Sequence, residues 1–136
     1  MTEVFADTFY WIALLNPNDY FHEAARHTPV SGRVVTSLAV QLEVLDAFSV
    51  QPRLRPLAVH FWRCTTHNPD VTVVPLDAAL LEQGIALFQA RPDKLWSITD
   101  CISFEIMRQR GIATAPTGDR HFQQAGFQVL FETNDR

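Results

Sequence analysis

Acidic residues recur in this sequence where a run of apolar residues gives way to a helical pattern. Asp7 ends "EVFAD" (3 to 7), Asp100 opens "DCISFEIMRQRG", and Asp119 follows "IATAPTG". Glu43 sits differently, inside the helical stretch "LAVQLEVLDAFSV", with Ala39, Val40 and Ala47 three or four residues away. A carboxylate lying against small apolar side chains is costly unless something pairs with it. A solvated Glu43 beside Asp46 is the plainer alternative. Each aspartate also has a plainer reading as a helix cap, and Ser97 with Asp100 has the spacing of a capping box. Taken together, four carboxylates on one edge of a sheet would repel one another strongly unless a cation held them. An oxygen-only set with no Cys or His cluster points to Mg²⁺ or Mn²⁺. Such an ion lowers the pKa of a bound water and offsets charge developing on a phosphate during in-line hydrolysis.

That grouping requires an architecture, and the apolar patterning supplies one. Apolar runs expected as strands are "EVFAD", "RVVTS" (33 to 37), "VTVVPL" (71 to 76), "IATAP" (112 to 116) and "FQVLFE" (127 to 132). Between them lie helical stretches beginning "TFYWIALLN", "LAVQLEVLDAF", "DAALLEQGIALFQAR", "DCISFEIMRQRG" and "DRHFQQAG". A further helix is expected after Pro56, ending near His67. Leu38, Leu42, Leu45 and Phe48 recur at helical spacing and predict one buried face. Gly111 and Gly126 fall where helix C-caps are wanted. Strands apolar at nearly every position and alternating with helices argue for an α/β fold with a parallel sheet covered on both sides. Such sheets bind ligands outside the carboxyl ends of their strands, where Asp7, Asp100 and Asp119 would fall.

Composition narrows the class. A chain of 136 residues, 47% hydrophobic, predicts one globular domain over residues 1 to 136. The charge-free run "TFYWIALLNPN" is too short to span a bilayer, and Glu3 and Asp7 precede it instead of a basic segment, so no membrane association or secretion is expected. Two cysteines, Cys64 and Cys101, make neither a disulfide framework nor a Cys-x-x-Cys metal site, and a reducing cytoplasm is the natural setting. The net charge of −4 disfavours a nucleic-acid ligand, but bound cations would invert the local field of an acidic cluster. Arg53, Arg55, His60, Arg63 and His67 form the most basic stretch, read either as a solvated helix face or as a surface for phosphates.

Two other acid-rich α/β sites can be set aside. A haloacid-dehalogenase-type phosphatase needs Asp-x-Asp after its first strand, where "ADTFY" has Phe9. A receiver domain needs paired acids at the first strand, where "EVFADT" offers one at the strand end.

Four segments then carry a resemblance. "VFADTFYWIALLNPND", "TSLAVQLEVLDAF", "WSITDCISFEIMRQRGI" and "APTGDRHFQQAGFQVL" resemble, in order and spacing, the four motifs of PIN domains. The resemblance implies a three-layer α/β/α sandwich around a mainly parallel sheet, and a Mg²⁺- or Mn²⁺-dependent ribonuclease. It implies Asp7, Glu43, Asp100 and Asp119 as the acidic quartet. Asp7 and Asp100 would be principal metal ligands, with Thr8, Thr99 and Thr117 as supporting donors. At this length the chain is similar to VapC-type toxins, which implies an RNA substrate, a cognate antitoxin and a homodimer. PIN nucleases of RNA processing and non-catalytic PIN-like binding modules are the alternatives. "TFYWIALL" and "FQVLFE" are possible interaction surfaces or ordinary core. Asp77 and Asp93 read as caps, Cys101 as a small buried hydrophobe, and His121, beside Asp119, as a surface or packed residue, with a phosphate contact as its other reading.

Overall fold

The structure, a computed structural model, describes residues 2–30 and 32–132. Met1, Ser31 and residues 133–136 lie outside the described residues, so the expected 1-to-136 span is described between those limits. The first half runs β1 (Glu3–Phe5), α1 (Thr8–Leu15), α2 (His22–His27), β2 (Arg33–Ser37), α3 (Leu38–Phe48) and a 3-10 turn at Pro52–Leu54. The second half runs α4 (Arg55–His67), β3 (Val71–Val74), α5 (Ala78–Ala90), α6 (Ile98–Arg110), β4 (Thr114–Ala115), α7 (Arg120–Gln124) and β5 (Gln128–Val129).

All strand pairings are parallel. β1, β2 and β3 form one ladder with Phe5 opposite Val35 and Val35 opposite Thr72, while β4 pairs with β5. β4 also lies beside β1, so the strands run β3-β2-β1-β4-β5 across the molecule. The chain therefore leaves β1 toward one side and returns through β4 on the other. The crevice at the carboxyl ends of β1 and β4 is the switch point where parallel sheets place ligands.

Every helix expected from the sequence forms, and α2 forms in addition. Its six residues, "HEAARH", carry no apolar period, and it follows turns in which Asn16 Oδ1 accepts from Asn18 N and Asp19 Oδ1 from Phe21 N. The last two strands are shorter than expected, two residues each. The face of α3 is corrected in part: Phe48 is buried and Leu45 packs against the core as expected, but Leu38 and Leu42 are 36% and 50% exposed, and Ala39, Val40, Gln41 and Val44 are buried instead. Small side chains let α3 approach closely, and the buried Gln41 amide donates to Thr65 Oγ1 at 2.9 Å and Thr66 Oγ1 at 3.1 Å on α4.

The apolar segments considered as interaction surfaces lie largely in the core. Tyr10, Trp11 and Ala13 of α1 are buried, as is Phe131. Phe21 and Phe131 stack at 6.1 Å, with Phe9 tilted onto Phe21 at 4.9 Å. Trp11 Nε1 donates to Thr36 Oγ1 at 3.2 Å, so the indole is buried without an unmet donor. α6 runs through the interior, and all of Cys101–Met107 is buried. Asp77 caps α5 by accepting from Leu80 N at 2.8 Å. Asp93 is not a cap: Arg91 donates to both of its oxygens at 2.9 Å.

Candidate active site

Each of the three aspartates begins a helix, and those helices begin at the switch point. Asp7 lies two residues beyond β1 and is the N-cap of α1, its Oδ1 accepting from Tyr10 N at 3.0 Å. Asp119 follows β4 and caps α7, its Oδ1 accepting from His121 N at 2.9 Å. Asp100 lies in the first turn of α6, where a full capping box forms. Asp100 N donates to Ser97 Oγ and Ser97 N donates to Asp100 Oδ2, both at 3.0 Å. The same residues therefore cap helices and lie at one switch point. The positive ends of α1 and α6 offset part of the mutual repulsion.

Two side chains tie the three together. Thr117, fully buried, donates from Oγ1 to Asp7 Oδ2 at 2.9 Å, and its Oγ1 accepts from Asp119 N at 3.0 Å. One hydroxyl therefore fixes Asp7 against the loop that carries Asp119. His121 supplies the other link: its Nδ1 is 2.8 Å from Asp100 Oδ2 and 3.6 Å from Asp119 Oδ1. One donor atom from each of Asp100, Asp119 and His121 lies within 4.8 Å of the other two. Gly118 lets this loop pack tightly, because a Cβ there would stand 3.0 Å from Phe9 Cζ and 3.2 Å from the Phe21 ring.

The electrostatics follow a gradient of burial. Asp7 is 3% exposed, while the side chains of Asp100 and Asp119 are 14% and 26% exposed. Burial pushes the Asp7 carboxyl up to about 8, against the bonds from Tyr10 and Thr117, and the charges of Asp119 and Asp100 add to the rise. Asp100 is also raised, chiefly by burial, with the His121 contact acting in the opposite direction. Protonated, Asp7 would be a poor ligand; a divalent cation among these groups reverses that balance and keeps it ionised.

The remaining sequence candidates are placed less tightly. Glu43 lines a shallow groove with Leu42, Asp46, Ile98 and Thr99, and makes no hydrogen bond or ion pair among the described residues. It is half-buried, and the groove side of α3 spares it the full desolvation cost anticipated from its apolar neighbours. Thr99 uses its carbonyl to accept from Ser103 Oγ at 2.8 Å. Thr8 Oγ1 is buried with no hydrogen-bond partner among the described residues. An orphaned hydroxyl next to Asp7, beside converging carboxylates, fits a site that takes up a hydrated cation. Cys101 is packed as a small hydrophobe and burial pushes its thiol up to about 11. His121 is the residue that sequence reasoning placed at the surface or in packing and the structure places against Asp100. Its only signal was its place two residues after Asp119, and its nearness to Asp100 depends on α6 and α7 meeting in space.

Comparison with known proteins agrees with this geometry. The PIN domain family model matches residues 4–128. The chain is 32% identical over 127 residues to the 23S rRNA-specific endonuclease VapC20 of Mycobacterium tuberculosis, covering 91% of this chain and 95% of that one. The crystal structure of that protein, described as a toxin cleaving the sarcin–ricin loop, superposes with a TM-score of 0.86 at 28% identity, over 95% of this chain and 99% of that one. FitAcB from Neisseria gonorrhoeae shares the fold at a TM-score of 0.62 and 17% identity, covering 94% of this chain and 96% of that one. With the family model spanning nearly the whole sequence and the acidic residues gathered at the switch point, the chain belongs to the PIN domain family.

Proposed function

We propose that this protein is a Mg²⁺- or Mn²⁺-dependent endoribonuclease that hydrolyses RNA phosphodiester bonds in the cytoplasm, and that it is the toxin of a toxin–antitoxin pair. The observation that carries the reading is the convergence of Asp7, Asp100 and Asp119 at the ends of β1, α6 and β4, linked by Thr117 and His121. Support for RNA as substrate comes from the relative that is a 23S rRNA-specific endonuclease. A cognate antitoxin and a homodimer belong to the same reading. Among the described residues no helix is long and apolar enough to cross a membrane.

Asp7, Asp100 and Asp119 would hold the ion, with Glu43 reaching it across the groove it shares with Thr99. When bound, a divalent cation makes a water acidic near neutral pH and offsets charge on the phosphate. The protein's part is to fix the carboxylates in advance. Tyr10 N and Thr117 Oγ1 occupy the two oxygens of Asp7 and set its plane. The box with Ser97 sets Asp100. Asp119, the most open of the three, has Oδ2 free among the described residues to orient the attacking water and accept its proton. Arg53 and Arg63, which form no ion pair among the described residues, meet phosphates along the bound strand.

The test is cleavage of 23S rRNA by wild type and Asp100→Asn, with Mg²⁺ or Mn²⁺ and then with EDTA. Asp100→Asn and EDTA are each expected to lower the rate by about a hundredfold or more, on the scale of removing one preorganised charge-stabilising group. Equal growth arrest from wild type and Asp100→Asn on induced expression would refute catalysis and favour a binding module.

A further inference from the structure

We infer that His121 is itself a ligand of the divalent ion, through Nδ1, so that the site is a mixed nitrogen–oxygen site selective for Mn²⁺ over Mg²⁺. The inference rests on reading the acidic cluster as a metal site and goes further by naming the ion and an additional ligand.

The placement of the imidazole is not accidental to the packing. α7 is anchored by Phe122, 1% exposed, whose ring meets Phe104 edge-on at 4.9 Å. The His121 backbone N–H is held by Asp119 Oδ1 at 2.9 Å. These two restraints direct the ring across to α6, where Nδ1 comes within 2.8 Å of Asp100 Oδ2 and 3.6 Å of Asp119 Oδ1. Neighbouring ligands of an ion with bonds of about 2.1 Å stand about 3 Å apart, and Nδ1 is 2.8 Å from one carboxylate oxygen and 3.6 Å from the other. The ring is 31% exposed at the side chain, open enough for an ion and its waters to enter.

Without an ion, the 2.8 Å contact is the hydrogen bond that an Nδ1–H tautomer makes to the carboxylate, and the same two atoms are placed to face a metal instead. With a metal there, Nδ1 gives up its proton and its lone pair faces the ion, while the proton resides on Nε2. An imidazole nitrogen is a poor ligand for Mg²⁺, which takes oxygen donors and keeps its waters, and a good one for transition-metal ions. An all-carboxylate site would discriminate between Mg²⁺ and Mn²⁺ less strongly.

The experiment titrates Mn²⁺ and Mg²⁺ separately into ion-stripped wild type, His121→Gln, His121→Asp and Asp100→Asn by calorimetry. Electron spin-echo modulation of the Mn²⁺ complexes is recorded alongside. His121→Gln is expected to weaken Mn²⁺ by about tenfold or more and Mg²⁺ by less than about threefold, as for a ligand that Mg²⁺ uses little. Modulation from an imidazole nitrogen should appear in wild type and vanish in His121→Gln. His121→Asp restores an oxygen ligand and should bind both ions with the preference for Mn²⁺ reduced, which separates a lost ligand from a lost fold. Equal weakening of both ions, or no nitrogen modulation in wild type, overturns the inference. If His121→Gln keeps the wild-type preference while Asp100→Asn loses both ions, the inference falls and the metal-nuclease reading stands. If wild type binds neither ion, with or without RNA, both fall.

Discussion

Asp7 shows what a single buried carboxyl costs and what it allows. Its ordinary value of 3.8 is raised to about 8, chiefly by burial. Between those values the unfolded chain has released a proton that the folded chain still holds. Stability that Asp7 contributes is therefore fully present below about pH 4 and is lost as pH rises toward 8. Without divalent ions, Asp7→Asn should melt at a higher temperature than wild type, with the gap widening from pH 5 to pH 8. Melting curves in EDTA at the two pH values check this, and a gap independent of pH would contradict it. Adding Mn²⁺ should raise the melting temperature of wild type and leave that of Asp7→Asn nearly unchanged, because ligands that bind only the native state stabilise it. At this scale Thr117 matters as much as the acids. A hydroxyl that donates to Asp7 and accepts from Asp119 N lets two negative groups share one neutral neighbour.

α6 shows how an element can serve folding and chemistry with one turn. Its capping box uses Asp100 Oδ2, the oxygen that also faces His121, and leaves Oδ1 without a partner among the described residues. Ser97→Ala should cost about 1 kcal/mol of stability through the lost cap. It should also weaken divalent binding, because the turn that carries Asp100 loses the Ser97 Oγ acceptor of the Asp100 backbone N–H and frays; calorimetry alongside denaturant melts reads both effects. The contact of α5 with α6 sets where that turn sits. A Cβ at Gly84 would lie 2.7 Å from Ile102 Cγ1, two residues after Asp100. Gly84→Ala is therefore expected to destabilise by about 1–3 kcal/mol through overpacking, outweighing the helix propensity gained. A denaturation midpoint at or above wild type would show that the two helices can separate without cost.

For the whole molecule, the question is how a chain of net charge −4 meets a polyanion. Four of the eleven Lys and Arg residues are committed to acidic neighbours: Arg26 to Glu23, Arg91 to Asp93, Arg108 to Glu105 and Arg110 to Glu3. Arg53 and Arg63, on the 3-10 turn and α4, have no such partner among the described residues. If they meet phosphates, Arg63→Ala in a catalytically silent Asp100→Asn background should flatten the salt dependence of RNA affinity. The expected change in log–log slope is about 0.7 for single-stranded RNA. Fluorescence anisotropy across a range of ionic strength reads it, and an unchanged slope would remove Arg63 from the RNA path.

Much of this protein is legible without coordinates, because the information is local. Alternating apolar runs and helical periods give the α/β order, Gly111 in a left-handed C-cap ends α6, and Asp7 and Asp119 declare themselves at strand–helix junctions, whereas Asp100 opens a helix that follows another helix, α5. What the periodicity could not settle is which stripe of α3 faces inward. Leu38 and Leu42 read as core but stay exposed, because packing against α4 depends on the buried Gln41 and its threonine partners. Nor could spacing show that Asp100 and Asp119 come together with His121, that Asp7 joins them through Thr117, and that Glu43 lies apart in a groove. The contact of His121 with Asp100 was hidden for the same reason: the two are twenty-one residues apart and join only where α7 packs beside α6. The sequence by itself determined the elements and the residues at their ends, since caps and periods are written over a few residues. Only the tertiary structure decided which of those ends meet, because that depends on the strand order β3-β2-β1-β4-β5, and no local pattern encodes the distance between two strands.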